Sequence, residues 1–472
     1  MQNFLKGAIA VAVIAGVAAA PKLIGLSVVE NLNAHIAQIN EIPSYQASIK
    51  EVHSTWFTTT AVIDVALSVP ELDAEMQEAL TFQLDFSAQH GPILMGEQIG
   101  IGREAWSISY QGDSLREKLD FAAEQALYRF NAKTSLLGAT SISDRVLPFN
   151  VTIKEFQEIS MRFSGYQGSG EIQGKHINYL ANIEKMSIDG DGKHASIDNI
   201  QFDTSIDATL DQIFSGEVYD SIVKVSIAAM NFKDEQDATM TSNVTNTVIT
   251  AESDADQANK LFHILSSYSV ESYQVMGSEG QNLHLNIDMN NISTDFLKAY
   301  QNQMQEVMQN PQSDPAATQE QLLAFMDENL LDLLIASPEL NIAQLSGTID
   351  QGNFSAQLFT KLVNITALPD NMLDTAYWLS HIQASTNIEL EQNIAEMVAK
   401  LVLKSQLQGN PQMAQATPEE LDEIAMQQAP MILQNLAQQG LLQTTANGYK
   451  LVAELKDSQA TLNGNPIPLP IP

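Results

Sequence analysis

The 472-residue chain contains no cysteine. That excludes disulfides, thiolate nucleophiles, lipidated cysteine and cysteine-built metal sites together. Positive charge is scarce as well: 23 Lys+Arg stand against 57 Asp+Glu, for a net charge of −34. All five arginines (Arg103, Arg116, Arg129, Arg145, Arg162) fall between residues 103 and 162, and the lysines are scattered. Polyanions are gripped by clustered Lys and Arg that displace condensed counterions. No such cluster exists, so nucleic acid is excluded as a partner, and a polybasic hold on anionic headgroups with it. The excess acid reads as a solvated surface that keeps a large protein soluble.

Catalytic and metal-binding motifs are missing too. The eight histidines (His35, His53, His90, His176, His194, His263, His284, His381) include no i, i+4 pair with an intervening Glu, so no zincin helix is present. Asp189-Gly-Asp-Gly192 invites a calcium reading. The calcium-loop template fails at Lys193, His194 and Ile200, and a hairpin turn is the better account. Gly165-Tyr-Gln-Gly168-Ser-Gly170 and Gly100-Ile-Gly102 lack the order and the Lys-Ser/Thr ending of a phosphate loop. There is no G-x-S-x-G elbow. The chain therefore offers no catalytic, cofactor-binding or metal-ligating residue, and reads as a non-enzyme without a cofactor.

What is there begins at the N-terminus. Gly7–Ala20 is apolar all round and about 21 Å long as a helix, short for a bilayer core of ~30 Å. Continued to Val29 it is long enough, with Lys22 snorkelling to the interface. Lys6 precedes the apolar core, whose body includes Ile9, Val11, Val13, Ile14 and Val17, and a large acidic body follows. Positive-inside logic places that body outside the cytoplasm. Three readings compete: an uncleaved signal anchor, which is favoured, a cleaved signal peptide and a buried soluble helix. Ala18-x-Ala20 resembles a cleavage site, but Pro21 would follow the cut.

Beyond the anchor (residues 1–29), hydrophobic residues make up 44% of the chain, enough to fold a large core. Residues 30–250 show mainly period-two patterning, as in Leu80–Phe86 and Val223–Met230. Ser114–Phe130 is the best helix candidate in that region. Residues 251–472 read as strand–helix units: Leu283–Met289 runs into a helix capped by Thr294, and Ile382–Leu390 into a helix ending near Leu407. Thr318-x-x-Gln321 reads as a capping box opening Leu322–Ile335. Thr417-Pro-Glu-Glu420 reads as a second, opening a helix interrupted at Pro430 and stopped at Gly440. The apolar helices Leu322–Ile335 and Ile394–Leu407 read as core in preference to a lipid-binding lining. The fold class expected is α+β: extended antiparallel β-sheets with several amphipathic helices, plus one N-terminal transmembrane or signal-anchor helix.

Three stretches carry a family resemblance. Ile42–Ala61, with Trp56 and Phe57, resembles the opening hairpin of the YdgA-like family of Gram-negative envelope proteins. Phe86-Ser-Ala-Gln-His90-Gly91-Pro92 resembles its following turn. Gly448–Ile467, with Asn463 and Gly464, resembles its closing strand and Asn-Gly turn. The sequence departs at Ser54-Thr55, where the family tends to Arg-Gly, and at Asn465, where a lysine is usual. The resemblance implies an inner-membrane-tethered protein with its body in the periplasm, and transfers no catalytic residue. With no site chemistry in view, the reading is a binding or scaffold protein of the envelope. Its partners would be the inner membrane, through the N-terminal helix, and an envelope protein or apolar ligand. A lipid or hydrophobe carrier and an envelope hydrolase with a spatially assembled site stand as alternatives.

Overall fold

The computed structural model describes residues 28–40, 45–55, 58–67, 81–91, 93–95, 99–153, 159–309, 315–409, 413 and 416–469. The anchor residues Lys6, Ile9, Val11, Val13, Ile14, Val17 and Lys22 lie outside these, as do Trp56, Phe57 and Pro92. The chain divides into two units, Met1–Gln236 with Lys298–Phe325, and Asp237–Leu297 with Met326–Pro472.

The first unit holds α1 (Val28–Asn40), β1 (Tyr45–Ser54), β2 (Thr58–Leu67), β3 (Thr81–His90) and a small hairpin of β4 (Ile93–Met95) and β5 (Ile99–Ile101). Then follow β6 (Glu104–Tyr110), β7 (Leu119–Asp120), β8 (Tyr128–Thr134), β9 (Thr140–Val146), β10 (Phe149–Ile153), β11 (Ile159–Phe163) and β12 (Tyr166–Gln173). It ends with β13 (His176–Gly190), β14 (Lys193–Asp207), the short α2 (Leu210–Phe214) and β15 (Asp220–Asp234). Alternation decides which face is inside: Ala61, Ile63, Val65 and Leu67 of β2 are buried, as are Phe82, Leu84, Phe86 and Ala88 of β3. The antiparallel register then lines up Ala61, Phe86, Ile108 and Phe130 across β2, β3, β6 and β8. Trp106 packs between Phe86 and Phe130, with ring centroids 6.2 and 5.2 Å away. Helix α1 buries Leu32 and Ile39 in the same core. Asn40 pins it to β1, donating from Nδ2 to Ala47 O (3.0 Å) and accepting from Ala47 N (2.7 Å).

The second unit is also antiparallel. It holds β16 (Ser242–Asp256), β17 (Leu261–Val275) and β18 (Ser278–Ser293). Between β18 and β19 run α3 (Thr294–Gln309) and α4 (Pro315–Ile335), whose residues belong to both units. Next come β19 (Glu339–Ile349), β20 (Gly352–Leu362), α5 (Thr375–His381), β21 (Ile382–Glu391), α6 (Gln392–Gln408) and α7 (Pro418–Gln438). The chain closes with β22 (Gln443–Thr444), β23 (Gly448–Lys456), β24 (Gln459–Leu462) and β25 (Asn465–Ile467). Strand runs directly into helix at β18–α3 and again at β21–α6, as the sequence pattern indicates.

The expected α+β class with a membrane-spanning helix is corrected. Strand accounts for 55% and helix for 23%, and antiparallel sheet dominates both units. Among the described residues no helix is long and apolar enough to cross a membrane. Strand content is underrated by the sequence because many strands run to 15 residues, far beyond the usual 5–6. Their exposed positions mix charged and apolar side chains, as at Asp220, Ile222, Val223 and Lys224 of one such strand, so the period-two alternation is broken.

Three local expectations also fail. Ser114–Phe130 is not a helix: it contains the end of a 3-10 turn (Asp113–Leu115), then β7 and the start of β8. Arg116 holds the loop in that shape, donating from Nε to Asp113 Oδ1 (3.0 Å) with its guanidinium 4.2 Å from the Phe121 ring centre. Helix α4 starts at Pro315, one turn before the expected cap at Thr318. Helix α7 runs through Pro430 uninterrupted. Its Thr417–Glu420 capping box is in place, and Leu421, Ala425, Ala429 and Leu433 bury one face on either side of the proline. The Asp189–Gly192 turn joins β13 to β14 as read, with Asp191 and Gly192 at positive φ (51° and 71°).

Candidate functional site

An apolar cavity of about 410 Å³ lies between α6, α7 and the sheet of the second unit. Helix α6 faces it with Ala395, Val398, Ala399, Val402, Leu403 and Gln406, the i, i+3, i+4 stripe of an amphipathic helix. From α7 come Ile432, Leu433 and Leu436. The floor is Ile388 and Leu390 of β21 with Tyr449 and Leu451 of β23, directly paired in register. Lys450 also borders the cavity, but strand alternation sends its side chain to the opposite face, where Nζ lies 3.9 Å from Glu389. The polar side chains facing the space are Gln406 and Tyr449.

Local chemistry sets the two helices in place. Lys400 and Lys404 of α6 reach Asp422 of α7, with Nζ–O distances of 2.7 and 3.0 Å. These two ammonium groups hold the exposed Asp422 carboxyl below the usual carboxylate range. Thr417 Oγ1 accepts from Glu420 N (3.2 Å), and Glu420 Oε2 accepts from Thr417 N (2.9 Å), fixing the start of α7. At its far end Gly440 takes φ 74°, which turns Leu442 back onto the cavity. Val398 (41% exposed) and Val402 (51%) leave the mouth on the α6 side open to solvent.

The family-motif residues serve the frame. Asn463 (φ 52°) and Gly464 (φ 82°) form the turn between β24 and β25. The Asn463 side chain donates to Gly440 O (3.1 Å) and accepts from Val452 N (3.0 Å), tying the end of α7 to β23. It therefore supports the cavity without lining it. His90 and Gly91 stand in the other unit, at the end of β3. His90 Nε2 is 3.2 Å from Thr59 Oγ1. Gly91 N donates to Arg103 O (2.7 Å), and a methyl group at Gly91 would overlap the Gly102 carbonyl. The sequence motifs thus mark one close-packed turn at Gly91 and one open turn at Asn463-Gly464 that the Asn463 side chain ties down.

The first unit has a cluster of titratable groups around buried Asp144 on β9. Tyr179 donates to Asp144 Oδ1 (2.5 Å), Tyr128 donates to Oδ2 (3.3 Å), and the Tyr166 hydroxyl bonds to that of Tyr179. Burial holds the Asp144 carboxyl above its ordinary value, with the tyrosine hydrogen bonds pulling it back. Burial together with the nearby carboxylate pushes Tyr166 up to about 12, and raises Tyr128 and Tyr179 as well. The hydroxyls therefore stay protonated donors to one acceptor. The arrangement cross-links β8, β9, β12 and β13 and presents no nucleophile. Among the described residues, no group of three or more His, Asp or Glu is placed to hold a metal ion.

The α6 residues lining the cavity were legible as apolar and helical within Ile394–Leu407, and the sequence reading assigned that helix to core. The distinguishing signal is the breadth of the α6 stripe, which continues to exposed Leu401 and Val402. A family model described as "Bacterial protein of unknown function (DUF945)" matches residues 4–470. No curated protein and no solved structure matches the chain.

Proposed function

Given that the chain belongs to the bacterial DUF945 family of unknown function, we propose that it is a non-enzymatic binding protein of the cell envelope that holds an acyl chain beneath α6 and α7. The observation that carries this reading is the cavity itself: about 410 Å³, within the range of small-molecule sites, and apolar on every wall but for Gln406 and Tyr449. An apolar chain gains by leaving water for such a space, at about 25 cal/mol per Å² buried. A charged or sugar-like ligand would lose its hydration without compensation.

The floor also extends beyond the helices. Ile249, Tyr268, Leu285, Leu345, Ala356, Ile388 and Leu451 form one line across β16 to β21 and β23. Ile249, Tyr268 and Leu345 are 38–41% exposed. A chain longer than the cavity has an apolar path along that line.

Location belongs to the same proposal. The protein works at the inner membrane with its body in the periplasm, a reading supported by the charge order of the sequence, Lys6 ahead of the apolar stretch and the acidic body after it. Its place within the family is with the YdgA-like members, on the Trp56-Phe57, His90-Gly91-Pro92 and Asn463-Gly464 motifs.

Native mass spectrometry of the full chain, released from mild detergent, tests the binding. The expected spectrum shows a bound acyl lipid or fatty acid at about one per chain. A spectrum of bare protein, unchanged by added fatty acid, overturns the proposal. Protease added to spheroplasts tests the location: the body is digested while the inner membrane stays sealed.

A further inference from the structure

Leu136 and Leu137 form the corner of the β8–β9 hairpin and are 56% and 99% exposed. The turn itself does not call for leucine. Gly138 N donates to Ser135 O (3.1 Å), Ser135 N donates to Ala139 O (2.8 Å), and Gly138 takes the positive φ (97°) that closes the corner. Such corners favour Gly, Asn, Asp and Ser. The corners joining β12 to β13 (Gly174-Lys175) and β13 to β14 (Asp191-Gly192) carry no apolar side chain. A third apolar group stands at the same end of the sheet. Arg103 N donates to Thr134 O (2.8 Å), which sets the end of β5 against the base of the hairpin, and Ile101 of β5 is 69% exposed. We propose that this hairpin tip dips into the surface of a phospholipid bilayer, with Leu136 and Leu137 among the acyl chains. The contact is separate from the acyl cavity of the second unit and does not rest on it.

Charge and size pick the partner. Residues 125–143 contain no Asp or Glu, in a chain that has 57. Lys133 stands two residues behind the turn, about 7 Å along the strand from Ser135. Its ammonium lies beside β5, since a methyl group at Gly100 would meet Nζ at 3.0 Å. Arg103 is at the hairpin base, and Lys175 comes to the same end because Ile172 pairs with Thr140. Glu104, across from Thr134, and Glu171, across from Ser141, bring carboxylates there too. This end is therefore close to neutral, while the chain as a whole carries −34 and is repelled by an anionic membrane surface. Interfacial apolar groups enter ~5–10 Å into the boundary between headgroups and acyl chains, a depth that leaves Lys133 at the phosphates. A partner protein fits less well. A stable interface takes about 800 Å² from each side, and three side chains around a corner offer much less.

The absence of cysteine makes the test local, because a single introduced cysteine carries a fluorophore to one place. A139C, labelled with a nitrobenzoxadiazole dye, reports on the tip. K193C, at the Asp191-Gly192 corner, reports on the far end of β13, about 50 Å along that strand from Lys175. The full chain is reconstituted in vesicles of phosphatidylethanolamine and phosphatidylglycerol, with and without lipid spin-labelled on its acyl chain. The A139C emission should shift to the blue and be quenched by the spin label about twofold or more beyond K193C. L136S/L137S in the A139C background should lose both responses, with unchanged circular dichroism establishing that it is folded. Aqueous emission from A139C, equal quenching at the two positions, or undiminished quenching in L136S/L137S overturns the inference. So does a blue shift that spin-labelled lipid leaves unquenched, which places the tip against protein.

Discussion

Tyr179 donates a 2.5 Å hydrogen bond to Asp144, across a gap that Gly168 keeps open between them. Asp144 is directly paired with both Phe130 and Gly168, so the carboxylate sits at the margin of the aromatic core. A buried acid is tolerable there because three tyrosine hydroxyls surround it.

This pair has a pH signature. Burial raises the Asp144 pKa above its ordinary value of about 3.9. The native state therefore binds more protons than the unfolded chain between those two values, and stability falls as pH rises through that window. The stability associated with the protonated carboxyl is complete below the unfolded value. Asp144→Asn keeps an acceptor for Tyr179 and removes the titration, so it should flatten this part of the profile. Asp144→Ala leaves the Tyr128 and Tyr179 hydroxyls without this acceptor and should cost about 1–3 kcal/mol at all pH values. Urea unfolding of the wild type and both variants from acid to neutral pH checks the three curves.

Gly168→Ala tests the gap. The added methyl would overlap the Tyr179 hydroxyl and the Asp144 carboxylate. Overpacking of this kind costs about 1–3 kcal/mol. A drop in the urea midpoint without loss of the acyl ligand is the expected outcome, since Gly168 belongs to the other unit.

Val402→Glu separates binding from folding. Val402 is 51% exposed at the cavity mouth, so the fold should change by no more than about 0.5 kcal/mol. A carboxylate at the mouth disfavours an apolar occupant, and retained acyl ligand should fall about tenfold by native mass spectrometry. Unaltered retention would argue that the chain lies elsewhere.

Thr417→Ala removes the cap of α7. It should cost about 1 kcal/mol and speed amide exchange in the first turn of that helix, because Glu420 N loses its acceptor. Hydrogen-exchange mass spectrometry over residues 416–425 reads this directly.

Elements with self-contained chemistry were legible. The Thr417–Glu420 box, the Asp189–Gly192 turn and the alternation over Thr81–Phe86 all involve residues within a few positions of one another, and each stands as read. Ser114–Phe130 was misread because what shapes it is distant: Tyr128 and Phe130 are claimed by β6 and β9. The cavity was missed for a related reason. The stripe on α6 is the same whether a helix packs tightly or stands off, and only the spacing of α6, α7, β21 and β23 leaves a space between them.

The sequence alone determined the strongly acidic, cysteine-free character of the chain, the absence of motif chemistry, and most turns and caps, because these depend on composition or on neighbours along the backbone. The tertiary structure decided how far the strands extend and where apolar side chains enclose an empty volume. Those outcomes depend on register between strands far apart in the chain, and a one-residue slip would have turned every side chain to the other face.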